Sequence, residues 1–358
     1  MLVLGAKISY FTGKFETYLR YKEIPYEYRG LDLRHYYRVV PKHLGATQYP
    51  TVVTDDGRWM SDTTPMIAWL EREHLEHPVL PVDAVQRFVA LLIEDYADEW
   101  LWRPAMHYRW SYRDDRELAS AWLAREVATL PLPVAVRRAL VARRQTQLFV
   151  THDGIDAASR RHAEATYAAV LGCLEPVFEQ RPFVFGARPT IADIGLMGPF
   201  WRHFVHDPTP ARILQDTAPA TFTWTGRTWN ARGSRLGDEP LLDGIPADLS
   251  PLLNEIGATH LEALAVNAAA HGEPHVKHDL AVQGTTYRNV PTGAYRVWAL
   301  EQLRARLGEL DDDAAQHVRA VLEQHGCWEP LWRVEHLASG HDPAGEAPFC
   351  AALRMVRD

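Results

Sequence analysis

The sequence is poor in cysteine: 358 residues hold three, Cys173, Cys327 and Cys350, with no C-x-x-C pair among them. An odd, widely spaced set indicates neither a disulfide framework nor a zinc ribbon, and a reducing compartment fits it best. No stretch of about 18 apolar residues occurs, so no membrane-crossing helix is expected. The opening MLVLGAKISYFTGK has too short an apolar run for a signal peptide. Excess positive charge is also missing: the net charge is −8, which argues against a nucleic-acid or anionic-membrane partner. There is no internal repeat and no low-complexity tract. What is present is a globular composition, 47% hydrophobic and 23% charged, with length for two or three domains and ample core. A cytoplasmic protein is expected.

The stretch Gln48 to Glu71, QYPTVVTDDGRWMSDTTPMIAWLE, organises the reading. Thr51, Val52 and Val53 predict a strand, Asp55-Asp56-Gly57 a hairpin turn, and Trp59-Met60 a second strand. Ser61, Asp62, Thr63 and Thr64 offer N-cap oxygens to a helix with Pro65 in its first turn and Met66, Ile67, Trp69 and Leu70 on its apolar face. The open amides of such a helix favour a small carboxylate above Asp62 and Thr63. Upstream, Pro50 at a strand's first residue marks an edge or a cis bond, and a cis bond exposes the Tyr49 backbone to a bound peptide.

Tyr49-Pro50 ahead of a hairpin, followed by Ser61-Asp62-Thr63 opening a helix, resembles the glutathione-binding half of the glutathione S-transferase family. The segment Leu19 to Glu27, LRYKEIPYE, resembles the corresponding stretch of that family. The resemblance implies a thioredoxin-like βαβαββα domain with glutathione as co-substrate. Carried over by motif, the glutathione-binding residues are Tyr49, Pro50, Asp62 and Thr63, with Asp-Thr in place of the commoner Glu-Ser.

Taken in order, Leu2 to Tyr10 predicts a strand, Phe11 to Lys14 a loop, Phe15 to Lys22 a helix, Tyr26 to Leu31 a strand and Arg34 to Val40 a short helix. The first strand-to-helix junction is where the family keeps the hydroxyl that activates the thiol. Tyr10 ranks first for that part, Thr12 second and Ser9, which spacing from Lys22-Glu23-Ile24-Pro25 favours, third; the competing reading makes Tyr10 a core aromatic. No Cys stands there, which disfavours a glutaredoxin-like route. Glu76 to Pro81 reads as a link between domains.

From Val85 to Trp100 the apolar residues form one helical stripe. Glu94, Asp95, Asp98 and Glu99 are expected on a solvated or internally paired opposite face, and Arg103 stands four residues beyond Glu99. By resemblance this helix walls the second-substrate pocket with Tyr96, Trp100, Arg103 and His107, and Pro104 kinks or ends it. A helical run around Leu118 to Val127, a Pro131-Pro133 break and an Arg-rich, solvated helix follow. Thr190 and Asp193 form a capping box whose role is structural. His203-x-x-His206 and His275-x-x-His278 lack further ligands, so no metal site is expected and surface or capping histidines are the reading. After about Asn230 the resemblance weakens. Helices are expected to end at Gly272, Gly308 and Gly326, with His275 to Arg288 unassigned and polar.

The expected architecture is therefore α/β plus all-α. It comprises a thioredoxin-like domain (1–81), an all-helical domain (82–230) and a helical extension (231–358) packed on the second domain, covering the cleft or forming a partner surface. The expected activity is addition or exchange of glutathione thiolate on a small apolar or aromatic electrophile, in a homodimer without metal, nucleic acid or membrane. Two other readings stand beside it: a non-catalytic binding or scaffolding protein of the same fold, and a transferase using another low-molecular-mass thiol. The non-catalytic reading expects Tyr10, Thr12 and Ser9 to point into the core or away from Asp62.

Overall fold

The computed structural model of the chain describes residues 1–30, 32, 34–126, 132–271 and 277–353. It opens with β1 (Leu2–Gly5), α1 (Tyr10–Tyr21) and β2 (Glu27–Gly30), followed by a π-helical turn (His35–Val39) that runs into α2 (Val40–Leu44). The hairpin β3 (Thr51–Val53) and β4 (Trp59–Ser61) and then α3 (Thr63–Glu73) complete a thioredoxin-like arrangement. The sheet order is β2-β1-β3-β4, with β1 and β2 parallel through the α1 crossover and the other neighbours antiparallel. The first strand is shorter than expected. It stops at Gly5 because Ser9 caps α1, its Oγ accepting the Thr12 N–H at 3.4 Å, so the expected loop Phe11 to Lys14 is the first turn of the helix.

Register decides what meets at the sheet's end. Leu4 is paired with Thr51, and Thr51 with Ser61. The exit of β1 toward Ser9, the Tyr49-Pro50 approach to β3 and the exit of β4 toward Asp62 therefore lie side by side.

The helical part comprises α4 (Ala84–Glu99), α5 (Trp102–Ser111), α6 (Arg113–Glu126), α7 (Val134–Thr146), α8 (Arg160–Gln180), α9 (Ile191–Pro199), α10 (Pro208–Thr217), α11 (Pro219–Asn230) and α12 (Gly233–Leu236). Pro104 sits in the first turn of α5, beyond the break at Trp100-Leu101, where its missing N–H costs no helical bond. Every residue of α9 is buried, and the helix packs against both α4 and α1. Its capping box forms as expected, and Asp193 additionally accepts the Val184 N–H and the Trp224 indole N–H, each at 3.0 Å. One carboxylate thus ties the start of α9 to the preceding loop and to α11.

The extension contains α13 (Ser250–Glu255), α14 (Glu262–Ala270), β5 (Lys277–Val282), β6 (Thr285–Pro291), α15 (Ala294–Gly308), α16 (Asp312–Gln324) and α17 (Trp328–Trp332). The expectation of an all-helical extension is corrected by the antiparallel hairpin β5–β6. Gln283 and Gly284 take φ of 46° and 76° at its tip, as a two-residue primed turn requires. Leu280, Val282, Tyr287 and Val290 face inward, and the polar alternate residues hid the pattern. Asn267 fastens α14 to the start of α15, its side chain exchanging bonds of 3.0 and 2.8 Å with the Gly293 backbone. Both α15 and α16 pack on α4. The expected strand end at Leu31, run end at Val127, Pro131 break, helix end at Gly272 and histidine His275 lie outside the described residues.

Candidate functional site

At the end of the sheet the Tyr49–Pro50 bond is cis and Pro50 is buried. Asp62 is the N-cap of α3 at φ 73°, a left-handed conformation that Asp tolerates better than most side chains. Its carboxylate accepts the Thr64 N–H at 3.3 Å and a hydrogen bond from the Tyr295 hydroxyl, and its Oδ2 is closed off from solvent with no partner among the described residues. Burial pushes Asp62 up to about 6, against the opposing pull of Tyr295 and Lys14. Thr63 is buried as the first residue of α3.

Beneath α3 lies an ionic cluster that the sequence reading did not anticipate. Lys14 on α1, fully buried, donates to Thr64 Oγ1 at 3.2 Å and to the carboxylates of Glu94 and Asp98 on α4. Burial alone lowers the Lys14 pKa, but Asp98 and Glu94 more than offset it and hold the ammonium charged. Asp98 is pushed well above the usual carboxylate range by burial, and Glu94 beside it adds to that shift. Glu99 is raised to about 7 by burial, although Arg296 stands 3.6 Å away. Arg296 and Arg103 also share Asp153, at 3.2 and 3.1 Å, and His260 meets Asp95 at 2.7 Å. Of the two alternatives expected for the acidic face of α4, solvated or internally paired, the structure shows the paired one: its residues are answered by cations from α1 and from the extension, which no local spacing encodes.

The three candidate hydroxyls separate cleanly. Tyr10 is buried, its hydroxyl donates to the Ala97 carbonyl, and its ring lies against Trp102 and His203. Thr12 is buried in contact range of Gly5. Tyr10 and Thr12 are therefore corrected to core residues, since a hydroxyl enclosed by protein has no path to a bound thiol. Ser9 alone remains partly exposed at the N-terminus of α1. The Ile8 carbonyl before it accepts from Arg109 at 2.8 Å, and Arg109 also pairs with Asp207 at 2.8 Å and contacts His203 Nε2 at 3.0 Å. His203 is fully buried, so the expectation of a surface histidine is corrected.

The expected walls of a second-substrate pocket are likewise buried. Tyr96 meets the ring of His260, and Trp100 and Arg103 lie under Tyr287 of the hairpin. His107 is held between Glu164 and Ser111, each at 3.0 Å. The extension fills the space that Tyr96, Trp100 and Arg103 would otherwise face, whereas His107 is enclosed by α5 and α8. A cavity of about 320 Å³ opens instead between α3, α4 and the end of α15, and none of the expected site residues lines it.

Residues 347–353 lie over Asp62. Ser61 N–H donates to the Pro348 carbonyl at 3.2 Å, Ala352 N–H to the Leu44 carbonyl at 2.8 Å, and the Gln48 amide to the Leu353 carbonyl at 2.6 Å. Phe349 stands edge-on to Trp69 at 5.3 Å, with Arg58 4.3 Å from its ring. Between this segment and Gln48, Asp62, Pro65 and Tyr295 a cavity of only about 10 Å³ remains, barely room for one water.

Residues 3–78, the part of the chain that builds this sheet end, match a family model described as glutathione S-transferase, N-terminal domain. This first domain belongs to the glutathione S-transferase family. A search of curated proteins found no match. Among solved structures, a glutathione S-transferase from Rhodospirillum rubrum F11 is similar at 16% identity and a TM-score of 0.44, covering 69% of this chain and 96% of its own. A glutathione S-transferase from Xanthobacter autotrophicus Py2 is similar at 16% identity and 0.42, with 68% and 96% covered. Isozyme E7 from Drosophila melanogaster is similar at 17% and 0.41, with 63% and 85% covered. The whole of the helical part and of the extension lies beyond the matched residues.

Proposed function

We propose that this chain is a glutathione transferase-like enzyme whose tripeptide site is the sheet end around Asp62. The observation that carries the reading is the meeting of three features there: the cis Tyr49–Pro50 bond, Asp62 and Thr63 opening α3, and the Ser9-capped start of α1. In this reading the Tyr49 backbone pairs with the cysteinyl unit of glutathione. Asp62 and Thr63 hold its γ-glutamyl end, the carboxylate of Asp62 meeting the ammonium. Ser9, at the positive end of α1, stabilises the thiolate. The thiolate sulfur forms a bond to a soft electrophilic carbon. The leaving group departs with its electron pair, and the thiol proton goes to solvent. The electrophile is a small apolar or aromatic molecule, and the protein is a cytoplasmic homodimer.

Calorimetric titration with glutathione beside an Asp62→Ala variant tests this. Binding that the substitution abolishes, and that strengthens as pH rises through about 6 where Asp62 ionises, is the expected result. Absence of heat at millimolar glutathione overturns it. A second reading, a non-catalytic binding module, draws on the burial of Tyr10 and Thr12. It expects glutathione binding with no turnover of any electrophile.

A further inference from the structure

The segment after α17 has no regular structure from Arg333 to Leu353, and turns through Gly340 and Gly345, both at φ 66°. Its hold on the first domain is slight. It includes three hydrogen bonds, from Ser61, Ala352 and Gln48, the Phe349 ring on Trp69 and Arg58, and Ala352 against the small cluster of Leu4, Val40 and Leu44. Residues 343–346 just before it are exposed. Residues 347–353 are mostly half-buried and belong to no helix or sheet ladder, and such a segment opens locally at lower cost than global unfolding.

The strap is also an imperfect occupant. It satisfies the Ser61 N–H and the Leu44 carbonyl, yet among the described residues nothing partners the enclosed Asp62 Oδ2 and Gln48 Oε1. An enclosed acceptor without a donor has lost its water without replacement and is destabilising. A small peptide bearing a free ammonium supplies the missing donors, whereas the internal amides and methyl side chains of Ala351 and Ala352 do not. We propose that the Asp62 site is a self-occupied peptide site: residues 347–353 fill it as a detachable strap, and a small peptide with a free ammonium, glutathione in the reading above, competes with them for it. Identifying the competitor rests on that reading; the detachability of the strap does not.

Cys350 provides a reporter. It is half-buried and lines the same small cavity as Asp62, its Sγ 4.0 Å from His341 Nε2, and burial pushes it up to about 11, so a seated strap keeps it a slow nucleophile. The test uses the full chain and two full-length variants. Phe349→Ala removes the ring contact, and Ala352→Pro removes the N–H that reaches Leu44. Each protein is titrated with glutathione, and Cys350 alkylation by iodoacetamide is followed by peptide mass spectrometry.

The expected result is glutathione binding at least tenfold tighter in the variants and Cys350 alkylation at least tenfold faster. Saturating S-methylglutathione should also speed alkylation of Cys350 in the unaltered chain. Equal glutathione affinity in all three proteins overturns the proposal. If none binds glutathione, the glutathione reading falls by itself and alkylation decides the strap. Faster Cys350 modification in folded variants upholds a detachable strap, and an unchanged rate overturns it.

Discussion

At the scale of single residues, three hydroxyls that look equivalent in sequence have different fates. Tyr10 and Ser9 are neighbours, but the helix begins between them. The cap stays at the surface and the first helical residue turns inward, where Gly198 leaves room for its ring: a Cβ at that glycine would stand 2.7 Å from the Tyr10 ring. On the proposed mechanism, Ser9→Ala should lower kcat about 10- to 100-fold with little change in KM. Tyr10→Phe should leave kcat within about twofold and cost roughly 1 kcal/mol of stability for its lost hydrogen bond. Steady-state kinetics and chemical denaturation of the two variants check both statements, and the reverse pattern would restore Tyr10 as the activating hydroxyl.

At the scale of elements, α9 is the axle. Its glycine Gly195 sits so close to α4 that a Cβ would stand 2.7 Å from the Glu94 Cα and 2.8 Å from Glu94 Cγ. The obstacle is backbone, so it cannot swing aside. Gly195→Ala should therefore destabilise the protein by about 1–3 kcal/mol, although alanine is the better helix former. A lower midpoint in urea at unchanged slope is the expected reading. The same closeness presents Glu94 and Asp98 to Lys14. The capping box of α9 was legible because its partners are three residues apart, whereas the Lys14 cluster joins residues 80 or more positions apart.

At the scale of the whole molecule, burial of carboxyls makes stability depend on pH. Burial raises Asp62 and Asp193 to about 6, and Glu99 and Asp207 to about 7. In the unfolded chain such groups titrate near about 4. Between those values the folded chain holds protons that the unfolded chain releases. This contribution is therefore complete below about pH 4 and is lost as pH rises through 6 and 7. Buried His203 and His278, which burial holds below the ordinary imidazole range, act in the opposite sense, so the carboxyl contribution is read as a difference between proteins. Between pH 5.5 and pH 8, thermal unfolding of Glu99→Gln should show a smaller loss, or a larger gain, of Tm than the unaltered chain, because an amide has no proton to lose. An equal change in Tm for this variant and the unaltered chain would contradict the assignment.

The amino-acid sequence alone determined whatever depends on neighbours within a few residues. The β-α-β-α-β-β-α order, the Pro50 approach, the Asp62 cap and the Thr190–Asp193 box are of this kind, because strand alternation, turn residues and caps act over short spans. Only the tertiary structure decided the rest: which hydroxyl stays at the surface, that the acidic side of α4 is interior, and that residues 347–353 lie over Asp62. Those outcomes depend on pairings between distant segments, such as Lys14 with Asp98 or Ser61 with Pro348, and desolvation is set by whatever the rest of the chain brings against a group. No spacing within a helix or strand carries that information.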